Sequence, residues 1–594
     1  MSCLFGYVGR PHPQLLARMA GRLSHRCRGG WERVGLGIES GWTAEIGRGR
    51  AGRDEAPTVA SAGVELEGRT ILGYAGVIFN ADAVVDCCPP TPEDLARTLG
   101  ESPSGIDRLD GAFVGALVRR RSVFLFRDPA GIKVLYWTRT RDRLIFASEI
   151  KALFADPAVE RTLRVGAIPE YLTFSFIPGE RTAFEEIHEL APGSMIQFRN
   201  GDVHPRRYFT FEDRADDDPE GRISDADHVA RTRSALYQSV AEACAVAKDP
   251  PAVFLSGGID SSAVLAHAAQ LYPDHRLKTF SIHFGREFAN ENEYVGMMVE
   301  SRGTDHTWLE IRPRRFLDRM REIIYRLDDP IGDPITVPNY LMAEAASAEA
   351  QVVLNGEGGD PCFGGPKNIP MMLARIYGPP PGEPPDGYLE RCYLHTYRKC
   401  FTDLDQLLVP EVRQAAGGDA ALVDILTPFF HADRPRHFLN RLMSANIRLK
   451  GANLILVKVE KMTAANGLLA LAPLFSRRTI ETSMACPPRL KLMGNVEKGI
   501  LKRAVAGVVP NPIIDRPKSG MMVPVRFWLQ GEMRRYAQRV LSRRRLRQLG
   551  YFNVDYVRKL LDYDRTEVGS ARHGLKLWML ITFVLWHETM VEGK

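Results

Sequence analysis

The sequence predicts an α/β protein in two parts: a mainly β front part over residues 1–210, and a back part over 211–594 built on a doubly wound parallel sheet with helices after it. Three observations carry this. Short runs rich in β-branched and aromatic residues, bounded by turn residues, fill the front part. The stretch FEDRADDDPEGRISDAD, 211–227, is acidic, polar and nearly free of apolar residues, which is the composition of a linker. Beyond it, apolar strand-like runs alternate with helical patterns, the signature of a parallel sheet with helices on both faces.

In the front part, SVFLFRD (122–128) and RLIFASE (143–149) are the clearest strands. After the linker, HVARTRSALYQSVAEACAV keeps helical spacing, PAVFLSGG is a strand ending on glycines, and IDSSAVLAHAAQLY is an alanine-rich helix. LKTFSIHF (277–284) gives the next strand and ENEYVGMMVESRG the next helix. GPPPGEPPDG (378–387) reads as a surface loop, and from about residue 385 the pattern is mainly helical, with no internal repeat. LKLWMLITFVLW (575–586) is too short to cross a bilayer and is predicted to be a buried helix.

The chain has 594 residues, 45% apolar and 25% charged, a globular balance and enough length for more than one core. Its 78 basic and 72 acidic side chains leave a net charge of +6, too mild to argue for nucleic acid. Nine scattered cysteines without a CxxC argue against a disulfide framework and a zinc site, and suit a reducing cytoplasm. No basic segment followed by an apolar run opens the chain, so neither a signal peptide nor a membrane role is expected.

The chemistry concentrates in FLSGGIDSSAV, 254–264. A strand that stops at Ser256-Gly257-Gly258 and turns at once into a helix presents free backbone N–H groups and a helix dipole to an anion. The glycines allow close approach and the serines add donors. Asp260 alone would repel a phosphate, but with Mg²⁺ between them it becomes a ligand. The lysine of GxxxxGK[ST] is missing, so this is not a Walker loop. A bare SGG is an ordinary turn; the whole string behind an apolar strand points to a nucleotide.

LSGGIDSS resembles the pyrophosphate-binding loop of the ATP pyrophosphatases, and further stretches narrow the resemblance to the asparagine synthetase family. LNGEGGDPCFGGP (354–366) is similar to GEGxDE-FGG, and LDDPIGDPITVPNY (327–340) to DEP-AD-xxIP-Y. LVKVEKMTAANGLLALAPLF (456–475) is similar to LxKxDRMxMAxGLExRxPF, and RPKSGMMVP (516–524) to RPKxGFxxP. The order holds over nearly the whole chain. The resemblance implies an αββα Ntn-type, glutaminase-like sandwich at 1–210, followed by a synthetase domain that uses ATP and Mg²⁺. In such a domain a carboxylate becomes an acyl-adenylate, and an amine then displaces AMP.

By the same resemblance Ser256, Gly257, Gly258, Asp260, Ser261 and Ser262 would serve the phosphates. Leu255, Ser281, Ile282 and His283 would border the adenine, and Gly356 would pass close to the nucleotide. Asp260 and Asp360 are the implied metal ligands, Glu357 serves the acid side, and Asp333 is a further acidic candidate. Lys518 would neutralise charge building on the α-phosphate, and Lys498 would lie near the phosphates.

The departures are as informative. Glu460 and Lys461 replace an Asp and an Arg of the pattern, and LALAPLF drops a Glu and an Arg, charges that the resemblance places near an amino-acid substrate. At the front, the nucleophile-bearing MCGIFG appears as MSCLFG, with Ser2 in the place of the cysteine and Cys3 in that of the glycine. HRGPD appears as HRCRGG (25–30), and YNGEIYN as YAGVIFN (74–80), so Ala75 and Val77 replace the groups that hold glutamine. GRAGRDEAP is a poor match to the RLAIxD strand. Structural stretches such as LDGAFVGAL (109–117) and RDPAGIKVLYW (127–137) survive. A retained but inactive front domain is expected, ahead of a Ser2 nucleophile or a Cys3-dependent site.

Without ammonia from glutamine the amine must come from elsewhere. The first expectation is a lasso-peptide macrolactam cyclase, which adenylates an Asp or Glu side chain and lets the peptide's own N-terminus attack. Retention of Glu357 and the chain's length favour it over β-lactam-type synthetases. A leader-binding protein and a protease would be its partners. The alternatives are an amide synthetase using free ammonia or a small-molecule amine, and a non-catalytic nucleotide-binding scaffold.

Overall fold

The computed structural model describes residues 3–38, 42–49, 63–66, 70–85, 90–119, 122–199, 201–211, 222–397, 399–517, 522–562 and 573–594. Two six-stranded sheets of antiparallel pairs make the front part. One runs, edge to edge, through Ile187–Glu189, Tyr136–Arg139, Arg143–Ala147, Cys3–Gly9, Trp42–Gly49 and Trp31–Ile38. The other runs through Asp202–Arg207, Ser194–Arg199, Ser122–Arg127, Gly111–Arg119, Thr70–Ile78 and Gly63–Leu66.

Strand Cys3–Gly9 shows why the layers form. Its alternate residues Leu4 and Val8 enter the core between the sheets with Ile46, Ala75 and Val114. Cys3, Phe5 and Tyr7 point the other way, into the core beneath helix Leu15–Arg22, whose buried stripe is Leu15, Leu16, Met19 and Ala20. Helix Pro92–Glu101 packs on the second sheet after a Thr91–Asp94 capping box. The result is the expected αββα sandwich.

Five parallel strands organise the back part, in the order Asp305–Glu310, Lys278–His283, Ala252–Phe254, Val352–Leu354, Leu469–Leu471. The chain enters at the centre, builds outward on one side, then crosses to the other. The switch point therefore lies between Ala252–Phe254 and Val352–Leu354, and the crevice at their carboxyl ends is where such sheets take ligands. Both faces are covered: Ala252 and Val353 enter one core, Val253, Val352 and Leu354 the other.

The first of these cores runs on into the front part, joining Tyr7, Ile168 and Tyr171 to Phe280, Ile324 and Trp586. Helix Asp225–Cys244 begins on a Ser224–Asp227 capping box; most of the acidic linker stretch, 212–221, lies outside the described residues. Helix His573–Trp586 is buried from Lys576 to Trp586, as its composition predicts. Among the described residues no helix is long and apolar enough to cross a membrane.

Candidate active site at the carboxyl edge of the parallel sheet

A cavity of ≈ 360 Å³ opens at the switch point. One wall is the turn after strand Ala252–Phe254. Gly257 has φ +74°, a conformation open to glycine, and starts the turn into helix Ile259–Leu271. The Ser256 and Ser261 hydroxyls lie 3.1 Å apart, and Ser261 Oγ also accepts from the Ser256 N–H. The turn after strand Val352–Leu354 locks against it. Asn355 donates to the Leu471 carbonyl at 3.0 Å while its Oδ1 accepts from the Glu357 N–H. A Cβ at Gly356 would fall 2.3 Å from the Ser261 nitrogen, and one at Gly359 would fall 2.0 Å from Asp260 Oδ1. The two glycine-rich motifs thus interlock because Gly356 and Gly359 carry no side chains at the contact.

Lys498 closes this corner. Its Nζ lies 2.6 Å from Asp260 Oδ2 and 2.7 Å from Asp360 Oδ1, on a residue buried to 2% and held at φ +53°. Burial works against its charge, but Asp260 and Asp360 outweigh it and raise its pKa above that of an ordinary lysine. Asp260 Oδ1, itself buried, makes no hydrogen bond among the described residues. That orphaned oxygen and the cradle at Gly356 and Gly359 fit a phosphate–metal group.

Deeper in the cavity stands a second polar group. Burial raises the pKa of Glu357, while Lys458 and Lys450 pull it back. Lys458 Nζ lies 2.8 Å from Asp333 Oδ2; burial opposes its charge, and Asp333 and Glu357 restore it and raise its pKa. Lys450 and Lys458 were not singled out by sequence reasoning. Both sit inside the apolar run that forms Asn446–Ile455 and helix Leu456–Ala464, and a lysine in such a run is the signal that marks them. Apolar residues including Ile282, Met342 and Met462 complete the lining.

Of the predicted residues, Leu255, Ser256, Asp260, Ser261, Ile282, Gly356, Glu357 and Asp360 line one cavity, with Lys498 bound to two of them. Gly257 and Gly258 shape its edge. Ser262, Ser281 and His283 do not line it. Ser262 is buried at 0% exposure in the helix, the Ser281 hydroxyl is spent on the Leu255 carbonyl, and His283 packs beside Trp308. Lys518 lies outside the described residues. Its neighbour Arg516 pairs with Glu291 at 2.6 Å.

Residues 231–588 match the asparagine synthase family model, and 95–209 match a glutamine amidotransferase domain. The chain belongs to the asparagine synthase family. It is similar to asparagine synthetase (glutamine-hydrolyzing) 1 of Bacillus subtilis (strain 168), at 26% identity over 89% of this chain and 84% of that protein. Asparagine synthetase (glutamine-hydrolyzing) 3 of the same organism is 26% identical over 70% of this chain and 67% of its own length. Amidase chyE of Penicillium rubens is 23% identical over 75% of each. Membership makes the chain an ATP-dependent amide ligase in type.

At the two positions where the family pattern holds glutamine, the side chains are apolar and buried. Ala75 sits at 2% exposure between the sheets, and Val77 at 3% in the core shared with Ile132 and Ile455. The surviving polar residues of HRCRGG turn to partners inside the protein. Arg26 donates to both oxygens of Glu460 at 2.7 and 2.8 Å and also binds Glu149. His25 lies 3.0 Å from Glu149; burial lowers its pKa, with Glu149 opposing. Lys133 reaches Glu460 at 3.4 Å. Lys151 and Lys461 flank Asp328 at 2.8 and 2.6 Å.

All these side chains are buried. Glu460 and Lys461, which replace an Asp and an Arg of the pattern, do not line the cavity. Their helix turns Lys458, Val459, Met462 and Thr463 to the cavity, Glu460 to Arg26 of the front half, and Lys461 to Asp328 and to the Tyr136 hydroxyl of the front half at 3.1 Å. Burial opposes the charge of Glu460, yet Arg26 and Lys133 hold its pKa down to about 2.

Proposed function

We propose that this protein activates a carboxylate with ATP and Mg²⁺ and joins it to an amine carried by the same molecule. Its most specific form is a lasso-peptide macrolactam cyclase acting on an Asp or Glu side chain. The carboxylate oxygen attacks the α-phosphorus, pyrophosphate leaves, the amine attacks the acyl carbon, and AMP leaves with the former carboxylate oxygen. The observation that carries the reading is the pairing of an open synthetase cavity with a front half whose glutamine-holding positions carry Ala75 and Val77, buried inside apolar cores. Glutamine finds no polar partner at those two positions, so nitrogen must arrive by another route.

Asp260 and Asp360 would hold Mg²⁺, which neutralises phosphate charge when bound. Lys498, buried beside them, supplies a fixed cation where charge develops, and Lys518 a second one by resemblance. The dropped Glu and Arg of the pattern leave Leu471 buried in the core and Leu469 packed against it, which argues against a free amino acid as the acid substrate.

The test is to incubate the chain with ATP, Mg²⁺ and synthetic core peptides bearing an Asp or Glu. Loss of one water from the peptide, matched by AMP, is expected. A second reading, asparagine formation from free ammonia, is favoured by the names of the similar proteins. Aspartate and ammonium turning over in the same assay, with no peptide losing water, would replace the first reading by the second.

A further inference from the structure

We propose that Cys3 and Cys27 form a redox-active dithiol, a reversible disulfide site built into the former glutamine-hydrolysing opening. The two sulfurs lie 3.7 Å apart, although the residues are 24 positions apart in the chain. Each cysteine stands where the family pattern has glycine: Cys3 in MSCLFG against MCGIFG, Cys27 in HRCRGG against HRGPD. Two separate departures from the pattern therefore meet at one point in space. Gly49, paired with Cys3 across the sheet, leaves the room they need. A Cβ there would fall 2.4 Å from the Cys27 sulfur and 2.7 Å from the Cys3 sulfur.

Access is divided as it is between an attacking and a resolving thiol. Cys3 is fully buried, and Cys27 is half-buried. The Cys3 thiol and, against burial, the Arg26 guanidinium lower the pKa of Cys27; its hydrogen bond with Cys27 and burial raise that of Cys3. Cys27 is thus the more readily ionised thiol of the pair. A disulfide needs about 2.05 Å between sulfurs, so the pair must close by about 1.7 Å, within reach of a side-chain rotation and a small loop shift.

The oxidant is a hydroperoxide. The Cys27 thiolate attacks it, an S–O bond forms as the O–O bond breaks, and with one proton the first water leaves. The Cys3 sulfur then attacks the Cys27 sulfur, the S–O bond breaks, and the Cys3 proton departs with the second water. Two thiols and one hydrogen peroxide give one disulfide and two waters, two electrons passing from sulfur to peroxide; a thiol reductant reverses it. The bond staples the loop that carries Arg26 and Arg28, the latter donating to the Ala465 carbonyl of the back half at 2.7 Å.

The experiment treats the full-length chain with one equivalent of hydrogen peroxide, alkylates the remaining thiols, and maps the peptides by mass spectrometry. A Cys3–Cys27 crosslinked peptide, 2 Da lighter than its parts and released by dithiothreitol, is expected, with a melting midpoint that rises on oxidation and falls back on reduction. Cys3→Ser should stop at a Cys27 sulfenic acid that dimedone captures, and Cys27→Ser should leave Cys3 unoxidised. Recovery of both thiols alkylated, or a Cys27 sulfenic acid persisting in the wild-type chain beside an intact Cys3, would overturn the proposal.

Discussion

The turn at His25-Arg26 and the turn at Ser256-Gly257-Gly258 are both remnants of motifs built for chemistry, and the protein treats them oppositely. Around Ser256 the polar groups surround a hollow: Glu357 faces the cavity, and Asp260 keeps a buried oxygen without a hydrogen-bond partner among the described residues. Around Arg26, among the described residues, the guanidinium is spent on Glu149 and Glu460, and the glutamine-holding positions of the pattern carry Ala75 and Val77, both buried in apolar cores. Both frameworks survive, sheet for sheet. What separates a working site from a structural one is whether its charged groups still have vacancies. A buried pair already satisfied is structure, and removing one partner leaves an uncompensated charge.

The comparison can be broken most forcefully at Arg26. Arg26→Met removes the guanidinium that bridges Glu460 and Glu149, leaving Glu460 only Lys133 at 3.4 Å, and unfolding in urea should show a loss of about 3–5 kcal/mol. Adding Glu460→Met should recover most of it, since an apolar pair replaces an ionic one. A single variant as stable as wild type would mean that the front turn is not structural. At the other turn, Lys498→Ala should cost roughly 10²–10³-fold in carboxylate-dependent pyrophosphate exchange, as removal of a fixed charge-stabilising group does. Near-normal exchange in a folded variant would remove the charge-stabilising role given to that lysine.

Acid sharpens the contrast further. Glu460 is held at about 2 against an ordinary 4.5, so its pairing stabilises the fold above pH 4.5 and that contribution is lost as pH falls from 4.5 to 2. Its full extent is about 3 kcal/mol. The Arg26→Met, Glu460→Met double variant should lack this acid-sensitive part in urea titrations at pH 6 and pH 3. The smallest effect is expected at Ser2→Ala, which should leave amide formation unchanged.

Much of this was legible in the sequence. Strand–glycine–helix at 252–271 gave the phosphate-facing turn because the glycines, the serines and the apolar strand all require the same geometry. The front layers were legible through alternation, as in Leu4 and Val8 against Phe5 and Tyr7. Strands Val352–Leu354 and Leu469–Leu471 were not singled out, because three residues leave no period to read. The direction of Glu460 and Lys461 was also hidden. They lie within three positions of Lys458 and Met462 on the same helix, but which side meets the cavity depends on the front half, far away in sequence.

The central claim is that the back half makes an acyl-adenylate while the front half releases no nitrogen from glutamine. The most direct measurement supplies labelled glutamine together with ATP, Mg²⁺ and an accepted carboxylate, and follows glutamate and pyrophosphate in one tube. The account predicts pyrophosphate that depends on the carboxylate and no labelled glutamate. Labelled glutamate appearing in step with AMP would contradict it.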